Sequence, residues 1–537
     1  MQLNLRAQVL ACCLAIGLVM STELAQANSE LVSPKASEAS SSFLTVSGSK
    51  IKDAQGKVIT LRGVNIHTYY YQYQWDKTAP LKNANETDIK YLKSLGVNSI
   101  RLGLHWQYFQ SSLGYQLIDN YVKWCENAGI YLILDMHVVP PETAVGQDRI
   151  WNNANAQQKF IKLWKAIATR YADKKIIAGY DLFNEPSPID PQKWWNLANT
   201  TISTIRTVDK NHLFFIEPAS TQEPSFQLVN DTKVVYSFHD YQPYLISHAG
   251  YAGASDSPVP TEYTYPGVVL KNVYPVGSGK GFNVIKELTE WTSIESHEIS
   301  VPANVQFAAL RIAAIGRLNN LWVDDFSVMQ NGNPVKLVNS NLEQASINDL
   351  NLPANWYFSG NGDFTSSWDN TLNNTQGLAT DKASLKMSGT NGGGVWSQVN
   401  NFYTGPLIKV KEGDKLILKG FFYAPDAKHA EFGLHVDYLT GVYESYNKER
   451  LSSDLQPYVT WAKNNNVPLY VGEFGALSTA KGSSRYNLVR DKISVMNAAG
   501  LSWSLWSYRD LGAPYFGLYL DQQLDQRLAS ILKKGLK

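Results

Sequence analysis

Eight side chains fall at or near the ends of stretches that read as strands, and their types suit acid–base and nucleophilic work. Asn184 and Glu185 follow the run Ile176–Phe183, and Glu473 closes the run Leu469–Glu473. Arg101 lies in Val97–Leu104, and His137 ends Ile130–His137. His239 and Tyr241 stand two apart at the end of Val234–Tyr241, and Trp506 ends Leu501–Trp506. Two carboxyls that meet can divide the roles of proton donor and nucleophile when their surroundings push their proton affinities apart. The same residues also have plainer readings. Arg101 could pair with Asp135, the two histidines could be core or metal ligands, and Trp506 could be core. No close His or Cys spacing accompanies the histidines, so no metal ligands are assigned. Glu217, after His212–Ile216, has no arginine or asparagine neighbour in sequence and reads as structural or substrate-contacting.

The elements that must position these residues alternate. From Val58–Ile66 onward an apolar run, a loop and an amphipathic stretch repeat. Asn85 caps a helix that runs through Leu95, with Ile89 and Leu92 on one face and Gly96 as its stop. Asn155–Tyr171 carries Phe160, Leu163, Trp164 and Ile167 at helical spacing. Such alternation implies a parallel sheet covered by helices. The pattern breaks near Pro266. Residues 281–436 are rich in Asn, Ser and Gly, with short alternating apolar stretches such as Lys415–Tyr423, the texture of an antiparallel sandwich. A helix at Glu444–Asn465 and two further strands resume the first pattern and bring its strands to eight. The expected fold is α/β: a (β/α)8 TIM barrel with an all-β jelly-roll sandwich inserted after strand 6. The chain divides into a signal peptide (1–27), a flexible leader (28–42), barrel (43–265), inserted module (266–436) and barrel again (437–537). Active sites of such barrels lie at the C-terminal ends of the strands, where the eight residues would converge.

In order and strand placement, Arg101, His137, Asn184-Glu185-Pro186, His239 with Tyr241, Glu473 and Trp506 resemble glycoside hydrolase family 5, the cellulase-like retaining β-glycanases. The resemblance covers about 43–265 and 437–537. Pro141 departs from it, since glycine is common there. The resemblance implies hydrolysis of a β-linked oligo- or polysaccharide, with Glu185 as acid/base and Glu473 as nucleophile. Asn184 would bond the sugar 2-hydroxyl, and Arg101 and Tyr241 would hold Glu473 ionised. His239 would sit by Glu185, His137 would bind sugar, and Trp506 would floor a subsite. The charge of Glu473 is expected to raise the pKa of Glu185. An endo-β-1,4-glucanase is the first reading. A β-mannanase, an exo-β-1,3-glucanase, a β-glucosidase and a non-catalytic carbohydrate-binding protein are the alternatives. Tyr70 and its neighbours Tyr69, Tyr71, Tyr73 and Trp75, with Trp106, Trp151, Trp194 and Trp195, are candidate sugar platforms. Trp322-Val323-Asp324-Asp325-Phe326 resembles the closing strand of jelly-roll carbohydrate-binding modules, and Asn339–Glu343 with Trp356–Phe358 their opening. That order implies a circular permutation. Such modules often hold a structural calcium; no other cofactor is expected.

Composition agrees with an uncharged ligand. Of the 537 residues only 18% are charged and 12% are aromatic, with a net charge of +1. No basic excess argues for nucleic acid or an anionic membrane surface. Arg6, the apolar run Val9–Met20 and Ala25-Gln26-Ala27 read as a signal peptide cleaved after Ala27, so a secreted or periplasmic location is expected. Cys125 would then be the only cysteine left, which excludes an internal disulfide and a cysteine zinc site. No membrane span is expected in the mature chain, and a monomer is expected.

Overall fold

The computed structural model describes residues 42–68, 84–141, 148–188, 190–220, 225–251, 259–345, 352–354, 356–374, 382–397, 407–427, 429–510 and 513–537. The signal peptide, nearly all of the leader, and Tyr69–Tyr71, Tyr73 and Trp75 lie outside the described residues.

Eight parallel strands close into a barrel. They are β1 (Arg62–His67), β2 (Ser99–His105), β3 (Tyr131–Val138), β4 (Ile177–Asp181), β5 (Leu213–Ile216), β6 (Val234–His239), β7 (Leu469–Phe474) and β8 (Ser502–Leu505). Each pairs with the next and β8 pairs with β1. Helices α1 (Glu86–Leu95), α2 (Leu113–Ala128), α3 (Ala154–Tyr171) and α4 (Pro191–Ile205) follow β1 to β4. Helices α5 (Lys448–Asn465), α6 (Ser484–Ala498) and α7 (Gln526–Gly535) precede β7, link it to β8 and follow β8. Among the described residues no helix joins β5 to β6. Phe226 packs there instead, with its ring 4.8 Å from Trp461 of α5 and 5.6 Å from Tyr236 of β6. Local sequence sets the helix ends. Asn85 and Asp88 form a reciprocal capping box at the start of α1, and Gly96 ends it in the left-handed conformation.

Side chains in the barrel alternate with the strand period of two. Ile100, Leu102 and Leu104 of β2 face the helices and share their apolar core. Inward positions form layers. A lower, apolar cluster holds Ile133, Phe215, Val235 and Tyr470 with Tyr131 and Leu213 two residues further down, together with Leu44 and with Ile51 of a small hairpin (Thr45–Ser47 with Lys50–Lys52). Two residues further up β3 and β6, and one step beyond β5, the inward positions turn polar: Asp135, Ser237 and Glu217.

The segment between β6 and α5 is a sandwich of two antiparallel sheets, each built on a path of five strands to which the short strands Ile299–Ser300, Asn333–Val335 and Ile408–Lys409 add at the sides. One runs Gly267–Val284, His429–Tyr446, Phe307–Gln330, Gly392–Ser397, Trp356–Asn361. The other runs Leu288–Glu295, Lys415–Ala424, Phe307–Gln330, Ser384–Gly389, Thr365–Asp369. The long strand Phe307–Gln330 is central to both. It passes from one sheet to the other near Gly316, which has φ 87° and where a Cβ would stand 2.5 Å from the His429 carbonyl oxygen. Leu310, Ile312, Leu434 and Val436 from the first sheet and Val323, Leu385, Leu418 and Phe422 from the second share one core.

One detail differs from the sequence reading. The ladder from Phe432↔Val284 to Tyr446↔Gly267 runs through the 436/437 boundary. The helix expected from Glu444 therefore starts at Lys448, because Glu444 and Ser445 are still paired in the sheet and Asn447 is the cap. The motif Trp322–Phe326 lies in the long strand shared by both sheets.

Candidate active site

Arg101 organises the upper layer of the barrel from a fully buried position on β2. Its Nε donates to Asp181 Oδ2 at 2.8 Å, and its Nη1 donates to Glu473 Oε1 at 2.8 Å and to Asn65 Oδ1 at 3.2 Å. Its Nη2 donates to Asn184 Oδ1 at 3.0 Å and Glu217 Oε1 at 3.1 Å, and lies 3.2 Å from Asp135 Oδ1. Burial disfavours the guanidinium charge, but Asp135, Asp181, Glu473 and Glu217 hold it well above its ordinary pKa. Burial also pushes the Asp181 carboxyl well up against the pull of Arg101, and Glu217 and Asp135 add to the rise.

Glu473 lies on β7 at a bulge in its pairing with β6 and β8. Gly472 permits the close approach of these strands, since a Cβ there would stand 2.8 Å from Ser237 Oγ and 3.0 Å from His239 Nε2. Besides Arg101, the Tyr241 hydroxyl donates to Glu473 Oε2 at 2.9 Å. The two partners proposed for this carboxylate from sequence are thus both in place.

Glu185 stands across the pit, partly open to solvent, and an oxygen of each glutamate lies within 4.8 Å of the other. His239 Nδ1 is 2.8 Å from Glu185 Oε1 and 3.6 Å from Glu473 Oε2, and its Nε2 is 3.2 Å from Glu217 Oε1. The structure reverses the expected direction for Glu185. Burial pushes its carboxyl up, but the hydrogen bond and charge of His239, with smaller pulls from His137 and Arg101, bring it down to about 2. His239 moves the opposite way. Burial disfavours the imidazolium, yet Glu217, Glu473 and Glu185 raise its pKa well above the ordinary value. Both shifts favour the ion pair of a Glu185 carboxylate with a His239 imidazolium. Among the described residues, Glu185, His239 and Glu473 are the one group of three such side chains close enough to share an ion.

Aromatic rings line one wall. Trp506 is half-buried and stacks on His67 (ring centroids 5.4 Å apart) and on His137 (5.3 Å). Burial lowers His67 to about 4, with Asp510 opposing and His137 assisting, so it packs as a neutral ring. His137 Nδ1 is 2.8 Å from Asp135 Oδ2, which ties it to the Arg101 network. Trp106 begins a 3-10 turn directly after β2 and is half-buried. Trp151, Trp194 and Trp195 are buried, so these candidate platforms are packing residues: Trp151 stacks on Phe183 at 5.1 Å. Tyr70 lies outside the described residues. Asn65 and Asp181 were not singled out from sequence. Both occupy inward positions beside Arg101, and strand parity would have found them.

The chain belongs to the cellulase family, glycosyl hydrolase family 5, whose model matches residues 52–272 and 358–512. Among curated relatives, a beta-xylosidase of Phanerodontia chrysosporium is 26% identical over 266 residues, 38% of this chain and 55% of its own. Endoglucanase C of Acetivibrio thermocellus is 26% identical over 205 residues, 35% of this chain and 59% of its own. The chain thus spans less than two thirds of either relative. Among solved structures, an endoglucanase aligns over 88% of this chain and 96% of its own at 14% identity and a TM-score of 0.47.

Proposed function

We propose that the protein is a secreted, retaining glycoside hydrolase that cleaves β-linked glucan as an endo-β-1,4-glucanase. The observation that carries the reading is the pairing of the two glutamates. Glu473 is gripped by Arg101 and Tyr241, and a Glu185 oxygen lies within 4.8 Å of it. That spacing suits the ~5–5.5 Å of retaining enzymes better than the ~6.5–9.5 Å of inverting ones, which need room for a water between their carboxyls. Glu473 would attack the anomeric carbon and form a glycosyl ester, while the leaving oxygen takes a proton from Glu185. That proton would reach Glu185 from the His239 Nδ1, which lies 2.8 Å from Glu185 Oε1. Glu185 would then accept a proton from the attacking water, and the ester would be released as free carboxylate and sugar. Every reacting group is a side chain of this protein, so the chemistry requires no cofactor.

Family membership and the endoglucanase among its relatives support the β-glucan substrate, and the Val9–Met20 run with Ala25-Gln26-Ala27 supports export. Hydrolysis of an aryl β-cellobioside, with the anomer of the first-formed sugar read by NMR, tests the mechanism. The β-anomer is expected, and the α-anomer would refute retention. Product sizes from a panel of β-1,4-glucan, β-1,3-glucan, β-mannan and xylan test the substrate. A spread of cello-oligosaccharides is expected, and activity confined to another polymer or to chain ends would replace this reading.

A further inference from the structure

Glu217 follows β5 and is 2% exposed, and neither acid–base chemistry nor nucleophilic attack accounts for it. Its Oε2 accepts the backbone N–H of Glu185 at 2.9 Å. Its Oε1 accepts from Arg101 Nη2 at 3.1 Å and lies 3.2 Å from His239 Nε2. Its own carbonyl accepts the indole N–H of Trp194 on α4 at 2.9 Å, which anchors the residue from behind. One carboxylate thus touches the backbone of the proposed acid/base, the imidazole bonded to that acid/base, and the guanidinium that grips the nucleophile.

The contact with the Glu185 backbone has a particular use. Glu185 has φ 48°, a left-handed conformation that a residue with a Cβ keeps only when its surroundings hold it. The Glu217 carboxylate holds the N–H of this residue and so helps to aim its side chain across the pit. The contact with His239 has another. The charged or titratable groups that face that imidazole are Glu185 from the loop after β4, Glu217 after β5 and Glu473 on β7. Tyr241 and Arg101 stand behind Glu473, and Arg101 and Asp181 behind Glu217. Glu185 and Glu473 both change charge state or bonding during the proposed reaction. Glu217 takes no part in the proposed bond changes, so its contact with the imidazole persists through the cycle.

We infer that Glu217 is a positioning residue for the reaction, fixing the backbone of Glu185 and supplying the standing charge that keeps a proton on His239. The inference rests on the functional reading above, in that Glu185 must be the acid/base for its alignment to matter. Burial works against the imidazolium, and the Coulombic attraction of Glu217 is the largest influence that favours it.

Glu217→Gln keeps the shape and one acceptor oxygen but removes the charge; Glu217→Ala removes both. For an aryl β-cellobioside with a poor leaving group, Glu217→Ala should lower kcat/KM about 100-fold, because that substrate needs a well-aimed proton donor. For the dinitrophenyl analogue, which needs no such donor, the loss should stay below about tenfold. Glu217→Gln should recover part of the loss, and its alkaline limb of kcat/KM should move to lower pH. Equal losses on both substrates with an unmoved alkaline limb would overturn the inference. An NMR titration of the His239 imidazole is the readout that needs no turnover. In the wild type it should titrate well above the usual histidine range, and in Glu217→Gln at lower pH. An ordinary wild-type titration, or one unmoved by Glu217→Gln, would also overturn it. If the wild type hydrolyses no aryl β-glycoside, the functional reading falls, and the titration still decides whether Glu217 charges His239.

Discussion

In the barrel, the space above Ile133 and Phe215 is filled by Arg101, Asp135, Asp181, Glu217 and Glu473, which face one another. In the sandwich, the space between the sheets is filled by Leu310, Leu434, Val323, Leu418 and Phe422. The sandwich also buries acids, but they face amides. Asp324 accepts the backbone N–H groups of Asp325 and Asn374, and Asp414 accepts from Lys411 N–H and the side chains of Gln330 and Asn331. Such bonds tie loops down. Withdrawing ions from water costs several kcal/mol each, and an apolar core of the same volume is often at least as stable. Stability alone therefore explains the sandwich interior and leaves the barrel interior unexplained. The excess is accounted for when the charge network is a tool for holding Glu473 in place and Glu185 aimed.

The largest effect that would break this contrast is on turnover. Glu473→Ala should lower kcat/KM by about 10⁴-fold or more. Azide should restore turnover of activated substrates and give the α-glycosyl azide, whereas Glu185→Ala with azide should give the β-product. Mass and NMR analysis of the products would expose a reversed assignment.

Arg101→Met tests the energetics. It strands buried carboxylates without their cation and should destabilise the fold by about 3–5 kcal/mol near neutral pH. As pH falls the carboxyls take up protons, so the loss should shrink. Leu418→Ala in the sandwich should cost about 2–5 kcal/mol with no such pH dependence. Denaturant titrations at two pH values separate them, and identical pH behaviour would erase the contrast.

The pH profile comes next. His239 is raised well above its ordinary value and Glu185 is lowered to about 2, so the pair should keep its single proton through neutral pH. A raised pKa means the protonated form is lost only as pH climbs through that raised value. Accordingly kcat/KM should hold at pH 7 and fall on the alkaline side, and His239→Asn should bring that fall to lower pH. A wild-type profile already falling by pH 6 would contradict the assignment.

The smallest effect is expected where the sandwich is removed. Deleting 281–436 and joining the paired strands by a two-residue turn leaves a hairpin in which Ser278 still faces Asp437. Aryl-glycoside kcat/KM should stay within about threefold, because Glu185, Glu473 and the side chains that contact them lie outside the deleted segment, and Phe307 and Leu407 are its main losses from the barrel core. A folded deletion variant with no turnover would mean that the sandwich helps to build the cleft.

Much of this was legible along the chain. The period-two pattern of Ile100, Leu102 and Leu104 against Arg101 told which way the arginine points, and Asn85 and Gly96 delimited α1 correctly. The helix expected from Glu444 begins only at Lys448 because Glu444 and Ser445 look helical locally, while their pairing with Val269 and Val268 is long-range. The tryptophans of α4 suited a cleft by type, but type cannot separate a ring facing a sugar from a ring facing Phe183.

The sequence by itself determined the elements, their order, and which strand ends carry glutamate, histidine, arginine and tyrosine, because helix caps and strand parity are short-range properties. Only the tertiary structure decided the electrostatics. The pKa of Glu185 depends on His239, 54 residues away along the chain, and the grip of Arg101 on Glu473 spans 372. Barrel closure brings these charges within 3 Å in a buried pit, where one neighbouring imidazolium outweighs the more distant charge expected to dominate.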